Sequence, residues 1–324
     1  MNLDTKQSLG ISLGDPGGIG YEITLKALLA LSKTVDLKTI TLFGKESLLT
    51  HPQLEPLWNA LPIKPKIVNC SEETQEVNLS TESATNGQIA IDAIQKAISF
   101  FKNGKISALT TAPINKKSLH LANSPYTGHT TLLQDAFEDK PVSMGFYTPT
   151  LKTVLATIHI PLSKVSSQLN RDLLETTLNN TLSFCELLGI EKPRIALAGL
   201  NPHAGEDGLF GQEEQRVLSP FVKAMQEKNH PIEGPFSPDT LYKRQLNGEF
   251  DMSISLYHDQ GLIPIKLMGF GKAVNVTLGL PMIRTSPDHG TAFDIAYQDK
   301  ANPNSMKSAI ELALSLLKGT DKNE

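Results

Sequence analysis

Residues 8–31, SLGISLGDPGGIGYEITLKALLAL, pass from a strand pattern through a glycine-rich turn into a helical pattern. Over 8–13 apolar residues alternate with small ones, the GDPGGIG of 14–20 interrupts them, and over 19–31 the apolar positions return every three or four residues. Strand, turn and helix in so short a span open a βα unit. The alternation continues along the chain. Further strands are predicted over 39–43, 66–69, 107–111, 143–147, 153–159, 194–200, 252–257 and 273–277, and further helices over 88–101, 171–188, 212–228 and 305–317. Ile89, Ala93, Ala97 and Phe100 form a helical stripe that belongs to the core. The fold class is α/β.

The chain has 324 residues, which at roughly 150 residues per domain gives two domains. Forty per cent hydrophobic and 20% charged residues, with 23 Gly and 20 Pro, exclude disorder, collagen and coiled coil as global descriptions. Thirty Lys and Arg against 34 Asp and Glu leave a net charge of −4, so no global basic field is present to hold nucleic acid or an anionic membrane. An anionic ligand must therefore be caught by local cations. Cys70 and Cys185 have no redox or zinc spacing and read as reduced core residues. No apolar run reaches the ~18 residues of a membrane span, and MNLDTKQSLGISLGD lacks the basic start and apolar core of a signal peptide. A cytoplasmic enzyme is expected. Without a Pro- or Ser-rich linker, the chain is expected to cross between its domains more than once, walling a cleft with segments distant in sequence.

Three constellations offer chemistry. GDPGGIG at a strand-to-helix turn suits either a tight structural turn or close approach of an anion, and it matches neither GxGxxG nor the P-loop. Of the eight histidines, five lie beside Gly, Pro or Asp at predicted strand ends, where open α/β sheets place their sites: His129, His159, His203, His258 and His289. Each alone reads as a satisfied structural residue; three converging as neutral imidazoles would make an open catalytic metal site. Lys266, Lys272, Asn275 and Arg284 interrupt the apolar background of 257–296, where buried cations between strands would best face a phosphate, although Lys272 reads equally as a surface residue.

Eight ordered motifs, GDPGGIGYE, TAPINKKSL, YTGHTTLL, HIPL, NPHAGEDGLFGQEE, GPFSPDTLY, YHDQGLIPIK and GFGKAVNVTLGLPMIRTSPDHGTAFDIA, closely resemble the 4-hydroxythreonine-4-phosphate dehydrogenase family of pyridoxal phosphate biosynthesis, from about Ile11 to Asn302. The resemblance implies NAD-dependent oxidation of 4-phosphooxy-L-threonine at C3 to a β-keto acid, which decarboxylates to 3-amino-2-oxopropyl phosphate. It implies a homodimer whose active sites are shared between subunits. A divalent metal (Zn, Co or Mg) would be held by His159 and His203 of one chain and His258 of its partner, and substrate by His129, Thr130, Lys266, Asn275 and Arg284. Imidazole-only ligation suits Zn or Co better than Mg. Asp239 is the candidate proton acceptor and Asp259 the candidate orienter of His258. HGTAFDIA with the Ala301-Asn302-Pro303 that follows resembles the adenosine loop of the isopropylmalate and isocitrate dehydrogenases. This implies two α/β/α domains around a cleft, unlike the Rossmann fold, with His289, Gly290, Thr291, Asp294 and Asn302 at the cofactor. Asp294 would repel a 2′-phosphate, favouring NAD over NADP. The expected domains are 1–128 with 290–324 on the cofactor side, and 129–289 on the metal and dimer side.

Some positions depart from these patterns. Gly18 stands where alanine is common, Tyr21 where proline is common and Thr131 where an acidic residue is frequent, while residues 297–300 replace a glycine-rich stretch of the adenosine loop. The alternatives are a paralogue acting on 4-phosphorylated threonate or erythronate, an acyltransferase of the phosphotransacetylase type, and a non-catalytic metal- or phosphate-binding protein.

Overall fold

Short strands order the chain: β1 (Leu9–Ser12), β2 (Ile40–Gly44), β3 (Lys66–Asn69), β4 (Ala108–Thr111), β5 (Ser143–Tyr147), β6 (Lys152–Leu155), β7 (Ile195–Ala198), β8 (Ile232–Phe236), β9 (Met252–Ser255), β10 (Val274–Leu278) and β11 (Ile283–Pro287). The structure, a computed structural model, describes residues 8–138, 140–269 and 271–320. Two compact units result, Met1–Lys140 with Leu280–Glu324, and Pro141–Gly279.

In the first unit the strands are all parallel, in the order β3-β2-β1-β4-β11. Parallel strands bury both faces, which explains why every residue of β1 and β4 is buried. On one face Leu9 and Ile11 join Leu25 and Leu28 of the Gly20–Leu31 helix and Met306, Ile310, Ala313 and Leu317 of the Asn304–Thr320 helix. On the other, Phe43 and Leu109 pack against Ala93, Ile94 and Ala97 of the Ala84–Lys102 helix. Full burial of a side chain such as Ile11 contributes about 1.5–3 kcal/mol. Strand order reverses at β1, with β2 and β3 to one side and β4 and β11 to the other, and such a reversal opens a crevice at the strands' carboxyl ends. Gly14 leaves β1 at φ +75°, and a Cβ there would lie 2.3 Å from the Pro113 carbonyl beyond β4, so only glycine fits.

The second unit has the order β10-β5-β6-β9-β7-β8, antiparallel across β10-β5-β6 and parallel beyond. The Arg171–Leu187 helix starts on Asn170, whose side chain accepts from the Leu173 N–H, and buries Leu174, Leu178, Phe184 and Cys185. Burial pushes the thiol of Cys185 up to about 12 and that of Cys70 up to about 11; both are free thiols, as their spacing predicts.

Several elements differ from the sequence reading. β8 (IEGPF) and β11 (IRTSP) are unpredicted because Gly and Pro punctuate them; β8 is an edge strand, where proline costs no ladder bond, and β11 pairs with β4 through Ile283–Thr285. The helix expected over 212–228 opens as a wide π turn, Glu214–Leu218, before Ser219–Glu227. The units divide at 140/141 and 279/280 rather than at 128/129 and 289/290: Leu132 and Leu133 of the His129–Ala136 helix pack with Ile94 and Leu109, and β11 joins β4, so both belong to the first unit. Among the described residues no helix is long and apolar enough to cross a membrane.

Candidate functional site

β11 carries Arg284 opposite Leu109 of β4, with only 3% of the residue exposed. Its Nε and Nη2 donate to Thr111 Oγ1 at 3.2 and 2.6 Å, which fixes the plane of the guanidinium. Burial pushes the Arg284 pKa down to about 9, still leaving a cation at neutral pH. His129 opens the His129–Ala136 helix. Its Nε2 is buried without a partner among the described residues, and burial, aided by the charge of Arg284, holds the ring well below its usual 6.5. A neutral imidazole beside a buried guanidinium has the chemistry to receive an anion, since the imidazole still has an N–H to donate. Leaving a buried nitrogen unsatisfied costs about 1–3 kcal/mol, which an arriving oxyanion removes. Thr130 is half-buried next to it. The Thr131 hydroxyl closes the local turn, donating to the Gly128 carbonyl and accepting from the Thr127 N–H.

The first unit also holds the adenosine-like loop. Ile19 N–H donates to the Thr291 carbonyl at 3.0 Å, and a Cβ on Gly18 would come within 2.8 Å of that oxygen, so the glycine-rich turn serves to seat 289–291 closely. His289 and Asp294 are exposed, and Asn302 Oδ1 accepts the Asn304 N–H at the start of the last helix. Residues 297–300 are clamped without glycine: Tyr297 donates its hydroxyl to the Pro16 carbonyl, and Asp299 pairs with Lys26 at 2.8 Å. Lys26 meets Glu22 at 2.7 Å, and Glu22 in turn accepts the Ala301 N–H. Tyr297 and Asp299 take the left-handed backbone, φ 60° and 59°, that glycines adopt more easily.

In the second unit His159 and His258 face one another with ring centroids 5.5 Å apart, beside a cavity of about 290 Å³ lined by Ile158, Ile160, Leu162 and Tyr257. His258 Nδ1 lies 2.7 Å from Asp259 Oδ1, the geometry of a carboxylate that orients an imidazole. His203 is held elsewhere, its ring 6.2 Å from Phe210, on a turn in which residues 203–207 all have positive φ. Left-handed backbone costs about 1–2 kcal/mol per non-glycine residue, so something must hold this turn. Among the described residues no three metal-ligating groups gather in one chain. The pair found together is His159 with His258, in place of the expected His159 with His203. Asp239 is exposed in the first turn of the Pro238–Leu246 helix, where its Oδ1 accepts from Ser237 Oγ at 2.6 Å.

Of the cations expected between strands, Arg284 is buried, whereas Lys266 lies exposed on the His258–Gly269 helix and Lys272 is exposed just before β10. The His258–Gly269 helix lies between the predicted strands 252–257 and 273–277 and is not among the predicted helices. Asn275 stands on β10 opposite Phe146, its Oδ1 buried without a partner among the described residues. Thr111, Asn201, Glu213 and Glu214 were not anticipated, although Thr111 opens TAPINKKSL and the others lie within NPHAGEDGLFGQEE.

The family model of the pyridoxal phosphate biosynthetic protein PdxA matches residues 25–313. A D-threonate 4-phosphate dehydrogenase from Pectobacterium atrosepticum is 41% identical over 95% of this chain and 98% of its own. A 4-hydroxythreonine-4-phosphate dehydrogenase from Desulforapulum autotrophicum is 39% identical over 96% and 95%. The crystal structure of a 4-hydroxythreonine-4-phosphate dehydrogenase from Klebsiella pneumoniae superposes with a TM-score of 0.83 at 37% identity, covering 96% of this chain and 99% of that one.

Proposed function

The chain belongs to the family of the pyridoxal phosphate biosynthetic protein PdxA and is an oxidoreductase, and from that premise we propose that it oxidises 4-phosphooxy-L-threonine at C3 with NAD. The product is a β-keto acid, which loses CO2 to give 3-amino-2-oxopropyl phosphate. Membership sets aside the acyltransferase and non-catalytic alternatives. The observation that carries the reading is the buried Arg284, steered by Thr111, beside a neutral His129 with a buried, unsatisfied Nε2. Arg284 takes the phosphate charge and His129 donates to a phosphate oxygen; Thr130, Lys266 and Asn275 are the other proposed substrate contacts.

The nicotinamide, when bound, accepts hydride from C3. His289, Gly290, Thr291, Asp294 and Asn302 are its proposed contacts, with the exposed carboxylate of Asp294 suited to the unphosphorylated ribose of NAD. A divalent cation, when bound, supplies a Lewis acid that lowers the pKa of the substrate hydroxyl. The donor set fits such an ion: two imidazoles stand 5.5 Å apart, and Asp259 holds Nδ1 of His258 so that Nε2 is the nitrogen presented. All-imidazole ligation favours Zn or Co over Mg.

With two of the three histidines together in one chain, the third, His203, is assigned to a second copy in a homodimer. Leu162 (67% exposed), Leu209 (79%) and Leu267 (78%), with Phe210 and Met268, give the second unit the apolar surface that a dimer would cover. Asp239 is proposed to accept the hydroxyl proton; Asp239→Asn is expected to lower turnover at least ~100-fold with metal still bound. A cytoplasmic setting completes the reading.

A second reading, oxidation of D-threonate 4-phosphate, is favoured by the Pectobacterium relative. The two substrates share the phosphate and the C3 alcohol and differ at C2. NADH formation measured with each, in Co2+-loaded and chelator-treated protein, tests both readings. The expected result is metal-dependent turnover, with kcat/KM deciding between the substrates. Absence of NADH with either substrate in the metal-loaded enzyme would overturn the reading.

A further inference from the structure

Glu213 and Glu214, which end NPHAGEDGLFGQEE, take no part in the proposed chemistry, yet both carboxylates are heavily engaged. Glu214 is buried on the π turn. Its Oε1 accepts the backbone N–H groups of Leu200 and Asn201 at 2.7 and 2.8 Å, and its Oε2 accepts Asn201 Nδ2 at 2.8 Å. The same Nδ2 donates to Glu213 Oε2 at 2.8 Å, and Glu213 Oε1 accepts the Ser166 hydroxyl at 2.7 Å. Ser166 belongs to the Leu162–Gln168 helix, which begins just beyond His159; Asn201 leads directly into the left-handed turn bearing His203. An unbroken path, Ser166 to Glu213 to Asn201 to Glu214, thus joins the segments of two histidines that are remote in sequence. A Cβ on Gly205 would lie 2.8 Å from Glu214 Oε2, so the carboxylate also packs into the turn itself. The Ser166 hydroxyl first, and then Asn201, hold the Glu213 carboxyl down to about 2, so it remains an acceptor across the neutral range.

We propose that Glu213 and Glu214 are positioning residues for the divalent metal: bridged by Asn201 and anchored on Ser166, they hold the left-handed turn in the shape that presents His203 to the second copy. This rests on the reading of His159, His203 and His258 as metal ligands. The physical reason is pre-organisation. A turn with four non-glycine residues in left-handed backbone relaxes once its anchor is cut, and the order then has to be restored each time the cation binds. Groups that orient metal ligands typically change affinity by about 10–100-fold when removed.

Titration of the metal-free, full-length protein with Co2+, followed by its visible absorption and by calorimetry, tests the proposal without reference to turnover. Ser166→Ala, an exposed change remote from the core, is expected to raise the Co2+ Kd about tenfold with the melting temperature moving less than about 2 °C. Ser166→Thr is expected to restore affinity, and Asn201→Ala to raise Kd about 100-fold. His203→Ala separates the two ideas. If it binds Co2+ as tightly as the parent, the metal reading fails. If it loses Co2+ while Ser166→Ala and Asn201→Ala keep the parental Kd, the positioning role is overturned and the metal reading stands. A drop in melting temperature for Asn201→Ala, with Co2+ affinity unchanged in Ser166→Ala, would mark the network as purely structural and overturn the positioning role as well.

Discussion

The buried Arg284–Thr111–His129 cluster of the first unit and the histidine face of the second differ in how they are built. Arg284, Thr111 and His129 sit on parallel strands and a helix start that one chain completes, with the cation buried and its plane fixed. His159 and His203 are exposed outside the strands, His258 is half-exposed at the start of a helix, and one chain brings only two of them together. An anion receptor gains from dry, finished walls, because desolvation strengthens each charged hydrogen bond. In the proposed dimer, ligands drawn from two copies stay at the surface until the copies meet. The first region should therefore respond to mutation through ligand affinity alone, and the second through assembly as well.

That contrast can be broken experimentally. The largest effect is expected from Arg284→Met, on the order of 10³-fold in kcat/KM, because it removes a desolvated charge from the proposed phosphate contact; Arg284→Lys should recover little, since a lysine cannot reproduce the two bonds to Thr111. Sedimentation and steady-state kinetics on Leu209→Glu address the other region. A charge on that apolar surface is expected to shift the protein to monomer and lower turnover at least about 100-fold, with far-ultraviolet dichroism unchanged. Retained activity in a monomer would remove the distinction drawn between the two regions.

Thr111→Val probes the first region more finely. Losing the oxygen that receives Nε and Nη2 should raise KM about tenfold with kcat within about twofold, and Thr111→Ser should behave as the parent. The smallest effect concerns pH. His129 in the folded chain resists protonation well below 6.5, whereas the unfolded chain takes the proton near 6.5, so acidification through that range favours unfolding. Urea midpoints measured at decreasing pH below 6.5 should therefore fall more steeply for the parent than for His129→Asn.

β1, its glycine turn and the following helix are readable because their patterns are local and both flanks repeat the expected period. β8 and β11 escape notice because IEGPF and IRTSP contain the residues that usually end strands, and only pairing with β7 and β4 overrides that preference. Arg284 reads correctly as a buried cation. Lys266 does not, because an apolar run gives no warning that it winds into a helix with one face in solvent.

The sequence by itself determined the α/β class, the family and the residue types able to hold a phosphate and a cation, since these depend on short-range periodicity and on ordered motifs. Only the tertiary structure decided that Thr111 sets the Arg284 plane, that His159 pairs with His258 within one chain, and that Glu213 and Glu214 gather Ser166 and Asn201. Those facts depend on which strands become neighbours and on hydrogen bonds a few ångströms long between distant positions, and no local pattern encodes either.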